Sequence, residues 1–526
     1  MPFFDFHCHP AFKHLLAPAG STLTPWDDIK VKLSVGKLFG REISIGINQL
    51  FNGAFNSQSN LRQMQQAGVN LAGVVLYSIE NKIAQGILER KIASKGKINL
   101  LDPVKLLEMQ KGNNYYEWTK KTMDSLTNNL KPGPGIKAAA GANFKFINSV
   151  NEYNEQDTKT VHGLLILEGL HNLCTDPFSA TAEADFENNF ADFKARYNTK
   201  IFAVNIPHMQ DFPCANHAFG MQFINEEMFF PNGSGLSAWG KRVIKKMYDD
   251  SILVDLKHMS YFTRTQLMAE RNSIGHEDKP LICTHAGLTG CHSNFRYKFL
   301  STRPKKTGGV WRIRHHKPYG VVQDSSFNRS SINLYDDEVV MIIQTNGLIG
   351  ISLDQRILGF PMDSVAFQVN DSPYDQEYIA AGEDDIFFRG VNDPGDINPY
   401  ISQDDVLTGD EALVHGEMSV EFHYYYFLNQ VFHILQVAKK SGIPLQQAIS
   451  CICIGSDYDG LINPLDCCIS AEMFSAFKDH LRQILKSRPT FWKPLSIKKS
   501  EVDVDALLDG IFFTNAFNFL KANFVQ

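Results

Sequence analysis

Two histidines one residue apart close the first apolar run of the chain, Phe4-Asp5-Phe6-His7-Cys8-His9-Pro10. An apolar, aromatic run of this kind reads as a buried strand. Side chains alternate faces along a strand, so His7 and His9 aim at one point while Cys8 faces the other way. Two imidazoles held by a rigid strand end make half of a zinc-type site. Alone, they could as well be ordinary histidines near a terminus, and the missing donors must come from elsewhere. Glu168 ends the apolar run His162–Glu168, where an unpaired charge is costly. A Lys or Arg partner would compensate it, and so would a bridge between two metal ions that joins two half-sites. His258 and His285 end two consecutive apolar runs and become the ligands of the second metal. Each taken singly reads as a hydrogen-bonded core histidine. With His-x-His and Glu168 they form a specific pattern, and the expected metal ligands are His7, His9, Glu168, His258 and His285.

Two more residues suit a hydrolysis that such a centre would support. A metal pair brings the pKa of a shared water towards neutrality, and the resulting hydroxide attacks a carbonyl carbon. Asp457, in Gly455-Ser456-Asp457-Tyr458-Asp459-Gly460, is the natural group to take the water's proton and pass it to the leaving amine. Asp459 has the same face parity and is the weaker candidate, and a Gly-flanked turn using Asp for local hydrogen bonds accounts for either residue. His208 follows the run Ile201–Pro207 and can donate to the developing oxyanion, or serve simply as a loop histidine.

The elements that must position these groups are eight apolar runs beginning near Phe3, Leu71, His162, Ile201, Ile252, Leu281, Gly347 and Cys451. Continuous apolar runs without alternation fit strands buried on both faces, as in a parallel sheet. Helix-like stretches separate several of them, around Leu61–Gln66, Ser237–Tyr248 and Glu421–Lys440. The pattern predicts an α/β fold, a (β/α)₈ TIM barrel, whose chemistry sits at the C-terminal strand ends. His, Glu, His, His, His and Asp occupy that end of six runs. One domain over 1–526 is expected, with insertions at about 79–160, 288–334 and 355–420. The last two follow the sixth and seventh runs and should lie on the active-site face. The second carries the basic stretch Arg312-Ile313-Arg314-His315-His316-Lys317, read as a solvated charged face before an anion site.

A net charge of -6 gives no electrostatic case for nucleic acid or an acidic membrane surface. No apolar run is long enough to cross a bilayer, and no signal peptide is legible. The nine cysteines form no regular framework, which reads as reduced thiols in a cytoplasmic protein.

The motifs resemble the membrane dipeptidase (renal dipeptidase) family of the amidohydrolase superfamily. The similar segments are the His-x-His opening, Leu167-Glu168-Gly169-Leu170-His171, Ile206-Pro207-His208, Gly235–Gly240, Val254–Ser260, Thr284–Gly287, Asn333–Asp337, Gly455–Gly460 and Asn515–Leu520. The resemblance implies a binuclear zinc dipeptidase with Glu168 as the bridge. It places His258 and His285 on the second metal, His208 at the substrate carbonyl and Asp457 as acid/base. Two departures stand out. The family usually opens His-x-Asp, where this chain has His9, which should lower the anionic charge around the first metal. The family's carboxylate-gripping Arg is replaced by Ile332, and an apolar residue cannot make that bidentate contact. Arg329, three residues earlier, is the candidate substitute. The expected activity is therefore dipeptidase-like cleavage of a small amide using two divalent metal ions, zinc foremost, with no nucleic-acid or membrane partner. The family's homodimer is an expectation. A non-peptide amide, a lactone or a phosphoester as substrate, or a catalytically silent binding barrel, are the alternatives.

Overall fold

The structure is a computed structural model. It describes residues 1–18, 20–30, 32–38, 41–46, 54–89, 102–220, 225–315, 320–322, 325–359, 376–397, 420–488, 492 and 497–525. His316 and Lys317 of the basic stretch and most of the third insertion lie outside these residues.

Each apolar run contains a strand: β1 (Phe3–Cys8), β2 (Val69–Leu76), β3 (Thr160–Glu168), β4 (Ile201–Asn205), β5 (Leu253–Asp255), β6 (Ile282–Ala286), β7 (Leu348–Ile351) and β8 (Ile452–Ile454). They pair in parallel in chain order from β2 to β8, and β1 closes the ring between β2 and β8. This is the closed (β/α)₈ barrel that the runs predict. A further short strand, Asn143–Phe146, pairs with the first half of β3, before β4 takes over that edge.

The strands are buried on both faces, and the core accordingly divides in two. Phe4, Phe6, Leu71, Val75, Leu164, Ile166, Ala203, Leu253, Ile282, Leu348 and Cys453 form one cluster, to which all eight strands contribute. The C-terminal helix Asn515–Asn523 closes this cluster with Ala516, Phe519 and Leu520, and Asn515 pins it by donating to the carbonyls of Ile449 and Ile452 at 2.7 and 2.8 Å. Alternate strand residues such as Cys8, Val74, Leu165, Val204 and Val254 join the helices in the second cluster. Local sequence sets the helix boundaries. Asn60 and Gln63 form a reciprocal capping box before Leu61–Ala67, and Gly68 at φ 77° stops that helix and turns the chain into β2. Ser237 and Ser260 cap the helices Ala238–Asp249 and Tyr261–Ser273.

The two later insertions meet. Lys305–Thr307, Val310–Arg314 and Gln376–Ala380 form a three-stranded antiparallel sheet. Two buried carboxylates key this sheet region to loops at the C-terminal strand ends. Glu383 accepts from Asn216, Ser260 and the Gly235 amide, and Glu377 accepts from Ser331 and pairs with His315. All nine cysteines are buried and free. Among the described residues, no helix is long and apolar enough to cross a membrane.

Candidate metal centre

The C-terminal ends of β1, β3, β5, β6 and β8 converge. His7 lies in β1 and His9 just beyond it, and His9 is fixed by its amide donating to the Tyr458 carbonyl at 2.8 Å. Glu168 is the last residue of β3, and His285 lies in β6. His258 sits three residues past β5 with φ 68°, and Asp457 three residues past β8 with φ 62°. A left-handed conformation is uncommon outside glycine, and at His258 and Asp457 it bends the chain just beyond the strand end.

Glu168 is the hub. Its Oε1 lies 3.4 Å from His7 Nε2, 3.0 Å from His258 Nε2 and 3.5 Å from His285 Nε2, and its Oε2 lies 3.4 Å from His9 Nε2. Two metal-sized groups of donors result, His7/His9/Glu168 and Glu168/His258/His285, and they share only the carboxylate. Asp457 Oδ1 approaches His9 Nε2 at 3.2 Å and His7 Nε2 at 3.9 Å, and a third group joins it with His7 and His285. The cluster is closed to solvent apart from the Asp457 side chain, which is 15% exposed.

The donor set fits metal ions. His7 Nε2 and His9 Nε2 are buried and find no hydrogen-bond partner, which is costly for ring nitrogens unless something else occupies them. Burial, reinforced by the charge of His208, pushes His258 down to about 3. Burial and the charge on His7 likewise hold His285 well below the usual histidine range. Both are therefore neutral imidazoles, the form that ligates. Burial alone would raise the Glu168 carboxyl, but the charges of His208 and His9, the hydrogen bond from His258 and the approach of His7 outweigh it and hold it well below the usual carboxylate range. Behind His7, its Nδ1 lies 2.8 Å from Thr284 Oγ1, and that hydroxyl donates to Asp255. The Thr284 oxygen thus accepts the Nδ1 proton and leaves Nε2 turned to Glu168.

The two aspartates after β8 part company. Asp459 accepts from the Gln58 amide at 3.0 Å, the Ser59 amide at 2.7 Å and Lys13 Nζ at 2.8 Å, so it clamps the loop before the helix Leu61–Ala67. Asp457 is the one that faces the cluster. His208 also reaches it, with Nε2 3.9 Å from Glu168 Oε2 and its ring 4.3 Å from that of His258. Arg329 is not brought to this cluster. It is buried, with its guanidinium 3.9 Å from the Phe299 ring and beside the Cys291 thiol.

One residue at this face escapes a reading by strand ends. Glu80, four residues beyond β2, is fully buried, and its Oε1 lies 2.6 Å from His208 Nδ1. Its charge, with that of Glu168, overcomes burial and raises His208 to about 9. Sequence offered only a polar residue after an apolar run, with its partner 128 positions away.

Residues 134–297 match the family model of membrane dipeptidase (peptidase family M19), a segment that carries Glu168, His208, His258 and His285. Two solved structures share the fold. One is a metallopeptidase from Rhodobacter sphaeroides liganded with a phosphinate mimic of the dipeptide L-Ala-D-Ala, 12% identical over 99% of each chain with a TM-score of 0.50. The other is the probable dipeptidase PvdM from Pseudomonas aeruginosa, 11% identical over 99% of this chain and 94% of that one with a TM-score of 0.52. No curated protein matches the sequence.

Proposed function

We propose that this barrel, a dipeptidase-like chain of the M19 metallopeptidase kind, hydrolyses the amide bond of a small peptide-like substrate at a two-metal centre. The observation that carries the reading is the pair of donor groups sharing Glu168. His7, His9 and Glu168 would hold one divalent ion, and Glu168, His258 and His285 the second, with zinc the ion that this donor set suits. When bound, such a pair supplies a water of near-neutral pKa and polarises a carbonyl oxygen.

The chain's own groups supply the rest. Asp457 is the partly exposed carboxylate at the mouth of the cluster, beside His9 and His7. From there it takes the proton of the attacking water and returns it to the leaving nitrogen. His208, with Nε2 3.9 Å from Glu168 Oε2, presents that nitrogen to the oxygen on which negative charge develops. The burial of the ligands keeps bulk water from competing with these contacts, where hydrogen bonds are stronger than in an open site.

Ile332, buried at 4% exposure, supplies no charge for a substrate carboxylate, and Arg329 lies against Phe299 and beside Cys291 with its Nε and Nη1 unpartnered. The test is metal content by elemental mass spectrometry, together with amino-acid release from free dipeptides and from C-terminally amidated ones. About two metals per chain with turnover of either set supports the hydrolase. Two metals with turnover of neither sinks it.

A further inference from the structure

We propose that Glu80 is a positioning residue of this site: it fixes the ring of His208 so that Nε2 is the nitrogen offered to the substrate oxygen above Glu168. This rests on the hydrolase reading and adds to it the part that sets which face of the histidine meets substrate.

Both Glu80 oxygens are spent inside the chain. Oε1 accepts from His208 Nδ1 at 2.6 Å and from the Met209 amide at 3.2 Å, so one oxygen holds the ring and the backbone that carries it. Oε2 accepts from the Tyr77 hydroxyl. The Tyr77 ring in turn stands edge-on to the His208 ring at 4.8 Å, which bars a ring flip. The His258 ring also packs against it, at 4.3 Å. The imidazole is therefore held at Nδ1 by a charge-assisted contact and by the packing of two neighbouring rings, and Nε2 is left towards Glu168 Oε2 at 3.9 Å. A fully buried carboxylate is costly, and a neutral side chain would fill this space more cheaply. What the carboxylate supplies is the strong acceptor at Nδ1, the arrangement by which a third group orients a catalytic histidine. Glu80 is absent from the metal-sized donor groups and acts through His208.

The test combines Glu80→Met, Glu80→Gln and His208→Asn with the Glu80→Met/His208→Asn double variant, all on metal-loaded protein. Glu80→Met should lower kcat by about 10–100-fold with KM little changed and metal content intact. Glu80→Gln keeps an acceptor at Nδ1 and should recover part of that loss. In the His208→Asn background Glu80→Met should add less than about twofold, the non-additivity of residues acting as a unit. A full additional loss there, or a loss explained by lowered metal content, would overturn the proposal. A second readout needs no substrate. The one-dimensional proton spectrum of the wild type should show a strongly downfield imidazole N–H that vanishes in both Glu80→Met and His208→Asn. Its persistence in either variant overturns the contact. A metal-loaded wild type that cleaves no amide removes the hydrolase reading and this role with it, while the resonance still decides the contact, so the two failures are told apart.

Discussion

Asp457 and Asp459 stand two positions apart, both with positive φ, and the structure gives them opposite work. Asp459 neutralises Lys13 at 2.8 Å, and both side chains are nearly sealed from solvent. Asp459→Ala leaves that ammonium buried without its partner and should cost about 3–5 kcal/mol of stability, read as a drop in denaturant midpoint. Asp457→Asn removes no such partner. It should leave the midpoint and metal content near wild type while kcat falls by about 10²–10⁴-fold. If Asp457→Asn unfolds the protein and Asp459→Ala spares it, the two assignments are reversed. Sequence parity could not separate the pair, because both project from one turn. What separates them is the loop at Gln58 and Ser59, some 400 residues away. The candidate donors His7, His9, Glu168, His258 and His285 were legible for the opposite reason: they end four apolar runs, His7 and His9 sharing the first, and a strand end is a local feature. Glu80 follows such a run too, but its meaning comes from a histidine beyond the end of a different strand.

The elements repeat this contrast. The eight barrel strands were readable because burial on both faces writes an unbroken apolar run. Their ends were less so. β5 and β8 are only three residues long, and His258 and Asp457 lie beyond them on bent backbone. The small sheet built from 305–314 and 376–380 left no comparable signal. Its first strand is exposed along its length, and while Gly308-Gly309 turns it into its neighbour, the third strand joins from far along the chain. Close packing beneath the metal centre does have a sequence mark. Gly350 and Gly455 both abut the Thr284 carbonyl, and a Cβ at either would lie 1.9 or 1.8 Å from that oxygen. Gly455→Ala should therefore displace β6, and with it His285 and the Thr284 contact to His7. Metal affinity should fall along with thermal stability. A variant that binds metal and melts like wild type would show that the strands can part without disturbing the site. A buried strut above this layer is Arg264, which meets Glu338 at 2.6 Å and donates to the carbonyls of Met259 and Ser331. Glu338→Ala should cost about 3–5 kcal/mol, and replacing both partners by apolar residues should cost much less.

At the scale of the whole molecule, the candidate donors run from residue 7 to residue 457, so the proposed centre is assembled only when the barrel is closed. The unfolded chain offers these groups far apart, and metal binding is then folding free energy. Ions held only by the native state stabilise it by about 2.7 kcal/mol at a free concentration one hundred times the dissociation constant. Chelation should accordingly lower Tm, and zinc supplied afterwards should restore it as two equivalents bind. Glu168→Gln is the informative control, because Glu168 is common to both donor groups. Loss of a bridge should reduce binding below two per chain and flatten the response of Tm to added metal. Loss of a structural salt bridge alone would lower Tm yet leave the metal response intact. Both donor groups draw on this one carboxylate, so the shared Glu168 predicts that the two ions leave together. A titration with chelator should show one cooperative loss of both ions, and two well-separated steps with unchanged Tm after the first would refute the shared bridge.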